Sequence, residues 1–416
     1  MNGIAVDEIC LSRLDIESDG FQQDPYPWYA EMRRTSPVCR VPGLDWYFVA
    51  TMELLSDVLA DFTTYSSRVD KRREPPSEAW EEVRRLRASR PQVVAPLLGN
   101  DPPTHAAYRR MANRAFTPRT LKWMENSVYA AARQLVADLP GEADFLETFA
   151  IPLPVYAISA ILGLDASRRA DIRRWTTAIA APIGATLEVE DWLEAERQQA
   201  DFDHVILSEL EIRRRGPRDD LLSHLVRNVD REVAPRERAA VLLGLVRQLL
   251  VAGNETTTRL LPECIVLLAA HPETWERLRA GLPGYTEAVV EEALRLASPV
   301  QQMRRRTTVD VTLGGTRLAA GTRLLVSFAS ANRDERVFPQ ADTFDPAREN
   351  RYRHLAFGHG IHTCLGAGLA RMEARIALET LAAAGTTAIE VLPHQPRYLP
   401  SYLLRGRTEL PVRVTR

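Results

Sequence analysis

The stretch that most constrains the fold is a loop near the C-terminus that reads HLAFGHGIHTCLG over residues 354–366. An apolar stripe at helical spacing follows it, at Leu365, Leu369, Met372 and Ile376. Cys364 is therefore predicted where a glycine-rich loop enters the first turn of a helix. The N–H groups and the dipole of that turn favour a thiolate, which is the form of cysteine that binds metals. The glycines allow the backbone to approach a large flat group, because a Cβ would collide with it.

A buried structural cysteine beside a glycine turn would be the simpler interpretation. The whole string, however, resembles in order and spacing the haem-thiolate loop of the cytochrome P450 family, F-G-x-G-x-H-x-C-x-G. The resemblance implies that Cys364 is the axial ligand of haem iron and that Phe357 packs near its sulfur. It also implies that Gly358 and Gly366 belong to the cofactor-binding loop. A thiolate ligand pushes electron density onto the iron and favours O–O cleavage.

Length and composition allow a large core, since the chain has 416 residues of which 45% are hydrophobic. Length alone predicts two or three domains. The resemblance implies instead one large domain over residues 1–416, with the cytochrome P450 fold, mainly α with a smaller β region. A net charge of -2 gives no bulk field that would attract nucleic acid.

The cysteines and the N-terminus favour a cytoplasmic protein. The four cysteines, at positions 10, 39, 264 and 364, have neither paired nor zinc-site spacing, which suits a reducing compartment. The first eight residues show no basic start followed by an apolar run, and no stretch of about 18 apolar residues occurs. We therefore expect no membrane and no nucleic acid among the partners.

A second pattern, DPPTHAAYR over residues 101–109, places His105 and Arg109 four residues apart, on one face of a predicted helix. A lone pair of this kind is usually surface decoration. Here it resembles the family's element whose His and Arg bind a propionate of the cofactor, haem b (iron protoporphyrin IX). Arg305 and His362 match the remaining propionate ligands. Basic neighbours on both sides leave the register of Arg305 open.

A long apolar helix is predicted over residues 235–271, with AGNETT at its centre, residues 252–257. Glycine and consecutive threonines weaken a helix, and Pro262 should kink or break it. The motif resembles the family's A-G-x-[DE]-T-[TS], which implies that Glu255 and Thr256 are the acid and the alcohol that deliver protons during oxygen activation. A back-bonded threonine kink of no functional consequence is the alternative.

Residues that would line the space for a substrate are predicted around this helix and near the C-terminus: Gln248, Val251, Ala252, Val300 and Leu403. Gln248 shares a helical stripe with Ala252 and Thr256. Its amide lies in an apolar stretch and must find a partner. That partner is either a neighbouring helix or backbone group, or a polar group on the substrate.

Two further segments would cover the site, and one network would support it. Residues 70–98 form either a solvated surface helix or a lid whose apolar run at 93–98 borders the substrate. Helices at about 166–214 match the family's roof over the substrate. Glu292 and Arg295, three apart on a helix, resemble with Arg348 a buried folding network of the family.

The resemblance implies a haem-thiolate monooxygenase that inserts one atom of O2 into a small organic substrate. Electrons would come from a separate ferredoxin and its NAD(P)H-dependent reductase, because no flavin or iron–sulfur domain fits in the remaining length. An acidic ferredoxin would dock through arginines at positions 110, 114, 119, 371 and 375. The alternatives are a haem enzyme that uses peroxide, and a non-catalytic haem sensor or carrier. The pair Glu255 and Thr256 argues against both, because neither needs a proton relay for O2.

Overall fold

Long helices build most of the structure, a computed structural model that describes residues 10–69, 80–88, 90–91, 93–113, 116, 118–184 and 187–416, without the side chains of 118 and 119. In chain order the helices are α1 Asp19–Gln23, α2 Tyr26–Thr35, α3 Met52–Ala60, α4 Trp80–Ala88, α5 Thr104–Asn113, α6 Pro118–Asp138, α7 Pro152–Leu162, α8 Arg169–Ala180, α9 Val189–Arg215, α10 Leu221–Glu232, α11 Arg238–Ala270, α12 Pro272–Arg279, α13 Tyr285–Ala297, α14 Phe328–Ala331 and α15 Ala367–Ala383.

The strands are short and form a smaller β region. They are β1 Val38–Arg40, β2 Trp46–Val49, β3 Tyr65–Ser66, β4 Glu142–Asp144, β5 Gln302–Thr307, β6 Val311–Leu313, β7 Thr316–Leu318, β8 Arg323–Ser327, β9 Ala388–Val391 and β10 Pro411–Thr415. The largest sheet has the order β1-β2-β8-β5-β3, in which β2 and β8 are parallel and the other neighbours antiparallel. A second sheet has the order β4-β10-β9, and β6 pairs with β7 in a hairpin. The predicted class, mainly α with a smaller β region, is confirmed.

The helix α11 runs through the helical core and packs against α7, α8, α13 and α15. Its 33 residues correspond to roughly 50 Å at 1.5 Å per residue. The helix continues through Pro262, so the break that this proline could have caused does not occur. Leu260, Leu261 and Ile265 are buried around the proline, and their packing offsets the missing backbone hydrogen bond.

The cysteine loop is placed by a close approach between two backbones. Gly360 has φ of 68°, and a Cβ built on it would lie 2.4 Å from the carbonyl oxygen of Leu59, at the end of α3. Only glycine fits such a position, because a side chain would be both strained and in collision. A 3-10 turn over Gly360–His362 follows, and α15 begins at Ala367, three residues after Cys364. The loop is thus fixed against α3 before the helix starts.

The predicted network around Glu292 is present and buried. Arg295 donates from Nη2 to Glu292 Oε1 at 2.7 Å, and both side chains are fully enclosed. Arg348 Nε donates to the same oxygen at 3.1 Å. Arg295 also donates to the carbonyl oxygens of Asn332 and Ala341, at 2.8 and 2.6 Å. The network therefore joins α13 to the segment that leads into the cysteine loop.

Replacing Arg295 by Met should destabilise the protein strongly, because Glu292 would lose one buried cation and two carbonyls their donor. Breaking a buried pair on one side costs about 3–5 kcal/mol. The measurement is the urea midpoint of unfolding. Arg413→Met is the control, because Arg413 pairs on the surface with Glu142 and Glu390, and such pairs contribute about 0–1 kcal/mol. Equal losses in the two variants would contradict a structural role for the buried network.

Candidate functional site

A large cavity lies where α11, α5, β5 and the cysteine loop meet. It encloses about 1460 Å³ of empty space, its open mouth included. Most of the lining is apolar, and the polar side chains gather near Cys364 and along α11. The cavity therefore places Cys364 at one end of a mainly apolar space.

Cys364 lines this cavity at the end of the glycine loop. Its N–H donates to the carbonyl oxygen of Phe357 at 2.8 Å, which closes the loop. The guanidinium of Arg371 lies 4.4 Å from the centre of the Phe357 ring, so the ring is held from behind. Gly366 also lines the cavity, and a Cβ built on it would meet nothing within 4 Å. The backbone here leaves a flat open surface beside the sulfur.

Burial raises the pKa of the Cys364 thiol, although its sulfur is open to the cavity. The N–H of Gly366 and the nearby Arg109 and Arg371 act in the opposite direction but do not outweigh burial. The N–H at the helix start thus favours the thiolate, as expected, but burial has the larger effect on this pKa. A coordinated metal cation would remove the proton outright.

A cluster of basic side chains borders the cavity next to Cys364: His105, Arg109, Arg305 and His362, hereafter the basic cluster. Arg305 is buried, and its guanidinium donates a hydrogen bond from Nη1 to the carbonyl oxygen of Arg304 at 2.8 Å. Burial lowers the pKa of Arg305 to about 10. Within the described residues no carboxylate lies within salt-bridge distance of it.

The two histidines of the basic cluster differ in their partners, since Nε2 of His362 lies 2.9 Å from Oγ of Ser67 in a hydrogen bond. Their rings are 4.4 Å apart, and Nε2 of His105 is buried without a hydrogen bond. Burial, with Arg305 next in effect, lowers the pKa of His362 to about 3. Arg109 donates from Nη2 to the carbonyl oxygen of Thr363 at 2.7 Å. Arg305 without a carboxylate and the unbonded Nε2 of His105 are costly to bury unless an anion joins them.

The strand β5 resolves the register of the three consecutive arginines. Side chains alternate across a strand, and of the three Arg305 alone is among the cavity-lining residues. Arg304 lies on the opposite face, donates to the hydroxyl of Tyr402 at 2.7 Å and stacks over Trp46. Arg305, as predicted, is the arginine that reaches the cavity.

These residues fit haem, a large flat group with two carboxylates and a metal. The basic cluster supplies donors that lack an anion, and Cys364 supplies a metal ligand beside an open backbone surface. Among the described residues no group of three or more His, Cys, Asp or Glu side chains could hold a metal ion by itself. A metal bound here would thus have Cys364 as a protein ligand and its other ligands from the cofactor.

The centre of α11 presents an alcohol to the cavity, and the neighbouring acid is engaged elsewhere. Thr256 lines the cavity, and its Oγ1 donates to the carbonyl oxygen of Ala252 at 2.9 Å. Glu255 forms an ion pair with Arg259, one turn later, and is not among the lining residues. The predicted pair is therefore adjacent in sequence but points in two directions. The acid reaches the cavity only if it leaves Arg259.

A second acid near the cavity was not singled out from the sequence. Glu373, on α15, is fully buried behind Thr257, and burial raises the pKa of its carboxyl to about 8. Its Oε2 and the hydroxyl oxygen of Thr257 both lack a clear hydrogen bond. The signal was present in the sequence, since Glu373 follows Met372 within the apolar stripe that starts α15.

Three of the residues predicted to line the substrate space do so: Gln248, Ala252 and Val300. Val251 does not, because it lies about 100° around the helix from Ala252. Leu403 does not either. It is buried in a different apolar cluster and packs against Gly184, and its carbonyl accepts the N–H of Gln301 at 2.8 Å. Of the five predicted residues, Val251 and Leu403 therefore do not border this cavity.

The segment predicted as a lid docks on the predicted roof through buried charges. Residues 70–79 lie outside the described part, but Arg87 and Arg90 pair with Glu196 of α9 at 2.6 and 2.7 Å. Arg90 also pairs with Asp203 at 2.9 Å, and Asp203 in turn pairs with Arg247 of α11.

Both interpretations of residues 70–98 find support in the described part of this stretch. Helix α4 packs on α9 through Val83, and its opposite face, with Glu81, Arg84 and Arg85, is exposed to solvent. The side chains of Leu97 and Leu98 border the cavity, as the lid interpretation predicted. The two roof helices, α8 and α9, lie within the predicted range of about 166–214.

The arginines predicted to dock a redox partner are largely engaged within the protein. Arg110 pairs with Glu232 at 2.8 Å, Arg371 pairs with Glu291, and Arg375 pairs with Glu125 and Glu379. Arg114 and the side chain of Arg119 lie outside the described residues. The internal ion pairs reduce the positive field that Arg110, Arg371 and Arg375 offer to an acidic partner.

Comparison with known proteins agrees with the fold and the cavity. The family model for cytochrome P450 matches residues 192–382. PikC, a cytochrome P450 monooxygenase from Streptomyces venezuelae, is 35% identical over 94% of this chain and 92% of its own length. The 6-deoxyerythronolide B hydroxylase of Saccharopolyspora erythraea is 33% identical over 96% of this chain and 98% of its own. The structure of CYP109Q5 from Chondromyces apiculatus superposes with a TM-score of 0.83 at 34% identity, over 98% and 99% of the two chains.

The chain belongs to the cytochrome P450 family. Membership makes it a haem-iron oxidoreductase of the monooxygenase type, which acts on an organic molecule and O2 and receives electrons from redox partners. Within the described residues, no helix is both long and apolar enough to span a bilayer.

Glu373 gives the site a pH-dependent stability. Its pKa in the folded protein, about 8, is above the ordinary value of 4.5. Between these two values the unfolded chain releases a proton that the folded chain retains, so stability is lost as the pH rises through this window. Glu373→Gln should therefore stabilise the protein at pH 8, by on the order of a few kcal/mol, and much less at pH 5.

Urea unfolding at the two pH values measures this effect. The control Glu390→Gln replaces an exposed glutamate on β9 and should change stability by less than about 0.5 kcal/mol at both. A stability difference for Glu373→Gln that is the same at pH 5 and pH 8 would show that this carboxyl is ionised in the fold.

Proposed function

We propose that this protein is a monooxygenase that binds haem b and inserts one atom of O2 into a small, mainly apolar organic molecule. Its electrons come from a separate ferredoxin and an NAD(P)H-dependent ferredoxin reductase. The observation that carries the proposal is the basic cluster without an anion beside Cys364, at one end of a mainly apolar cavity. The balance is R–H + O2 + 2e⁻ + 2H⁺ giving R–OH + H2O.

When bound, haem supplies the binding and reductive cleavage of O2 and the transfer of one oxygen atom. Cys364 would ligate the iron, with Phe357 and the open backbone at Gly358 and Gly366 beside it. The basic cluster would bind the two propionates by charge-assisted hydrogen bonds. Together these residues fix the position and the orientation of the cofactor.

The protein also handles protons and water. The Thr256 hydroxyl lies on the cavity surface and would hold the proton that the reaction consumes. Glu255 would pass a proton to this hydroxyl after its carboxyl group separates from Arg259. Arg259 lies four residues later on the same helix, so the ion pair can form again afterwards. The apolar lining around Leu98, Ile158 and Phe328 excludes water, which limits the release of hydrogen peroxide.

The rival functions predict different electron sources. A peroxide-using enzyme would turn over with hydrogen peroxide and would need neither ferredoxin nor Thr256. A sensor or carrier would bind haem and produce nothing. Comparing product formation with NADPH, surrogate ferredoxin and reductase against product formation with hydrogen peroxide separates the three. The proposal requires the first mixture to be the productive one.

Cys364→Ala should abolish the red-shifted Soret band that the reduced, CO-bound protein shows with a thiolate ligand. The measurement is the reduced-CO difference spectrum, scaled to haem content. Cys264→Ala is the control, since Cys264 is buried in α11 away from the cavity and its loss should leave the band unchanged. If Cys364→Ala retained the band, Cys364 would not be the ligand and the proposed function would fail.

Thr256→Ala should retain haem and substrate binding but lower the product formed per NADPH by roughly tenfold or more, within the range of general acid–base effects. The missing electrons should appear as hydrogen peroxide, because the hydroxyl no longer holds a proton at the cavity surface. The control Thr258→Ala changes a threonine of α11 that does not line the cavity. Equal coupling in wild type and Thr256→Ala would show that protons arrive by another route.

A further inference from the structure

The side chain of Gln248 has a fixed orientation in the cavity. Its Oε1 accepts the backbone N–H of Leu97 at 3.2 Å. A backbone N–H bonds to an oxygen and not to an amide NH2, so this contact determines which end of the amide faces Leu97. The other end, Nε2, forms no hydrogen bond with any described residue, and the half-buried side chain lines the cavity. Gln248 therefore presents a free donor to the space beside it.

The surroundings of this donor are apolar. The other polar side chains on the described cavity surface lie near Cys364 or farther along α11, at Thr256 and Thr257. Gln248 is eight residues before Thr256 on the same stripe, which corresponds to roughly 12 Å along the helix. Leu98, Leu249 and Ile158 line the cavity and offer nothing to a polar ligand group. The amide of Gln248 is thus separated from the other polar side chains of the cavity.

The same surroundings exclude an anionic ligand. The arginines that line the cavity in the described chain are Arg109 and Arg305, and both belong to the basic cluster. A carboxylate placed near Gln248 would lose its hydration without gaining a cation, which is costly. A carbonyl, ether or hydroxyl oxygen needs one donor only, which the amide supplies.

We propose that Nε2 of Gln248 binds the single acceptor oxygen of a neutral, mainly apolar substrate, at a point roughly two helical turns along α11 from Thr256. Gln248 is then a specificity-determining residue, and the substrate has an oxygen at one end and an apolar body that reaches the iron. This inference rests on the proposed function, since the haem iron defines the reacting end.

The test uses two probes that differ in one oxygen, 5α-androstan-3-one and 5α-androstane. Each is titrated into the haem-loaded protein, and the change in haem spin state gives the dissociation constant. Wild type should bind the ketone more tightly than the hydrocarbon by roughly 2- to 12-fold, the effect of one hydrogen bond. In Gln248→Leu the ratio should fall to about one, because the ketone loses its donor and the hydrocarbon loses nothing.

Two further variants separate recognition from the contact with Leu97. Gln248→Glu retains an acceptor for the Leu97 N–H but replaces the donor by a second oxygen. At pH 9 it should favour the hydrocarbon, while hydrogen exchange at Leu97 stays slow. Gln199→Leu removes a buried amide of α9 that contacts Ala178 and Arg247 and does not line the cavity. Its ketone-to-hydrocarbon ratio should match that of wild type.

A ratio of about one in wild type, or an unchanged ratio in Gln248→Leu, would overturn the inference. So would the failure of both probes to bind a protein that shows the thiolate–CO band. That band would still support the proposed function, so the two failures are distinguishable. Equal weakening of both probes in Gln248→Leu would assign the residue to the lid contact alone.

Discussion

The buried basic cluster beside Cys364 is the constraint on which the rest of the structure depends. Arg305 is buried without a carboxylate in salt-bridge distance, and His105 has a buried nitrogen without a partner. Helix α5, strand β5 and the cysteine loop bring the cluster together, and the Asp101 carboxylate acts on Arg305, His105 and His362 from a distance. A bound anion would give Arg305 and His105 the partners that they lack. A ligand that binds the folded chain and not the unfolded chain stabilises the fold by mass action. Cofactor binding and stability are therefore linked.

Helix α11 is both a scaffold and one wall of the site. Its buried leucines hold it against four other helices, while its centre contains glycine and two threonines that weaken it. Side-chain contacts hold this centre in place: Asn254 donates to Thr176 of α8 at 3.1 Å, and Glu255 pairs with Arg259. Packing at both ends therefore keeps the helix intact although its central residues are weak helix formers.

Two sides of the cavity are held in place by different contacts. The floor is the side formed by the cysteine loop, and the cover is the side at Leu97 and Leu98. The floor is set by backbone contacts, such as Gly360 against Leu59. The cover is held by ion pairs where α9 meets α11 and the end of α4. Arg87 and Arg90 pair with Glu196, and Arg90 and Arg247 pair with Asp203. Gly244 belongs to this junction, since a Cβ on it would lie 2.4 Å from the carbonyl oxygen of Val94.

Local sequence determined the features that depend on spacing along one element. The glycine loop before Cys364, the stripe of α15 and the pairing of Glu292 with Arg295 were all predicted, because turn geometry and helical period act over a few residues. Tertiary structure decided which of three arginines reaches the cavity, that Glu255 turns to Arg259, and that Val251 and Leu403 do not border the cavity. It also buried Glu373 and paired Arg90 with Glu196, 106 residues away. These outcomes depend on which surfaces meet when helices pack, and the free energy of a buried charge is set by those distant neighbours.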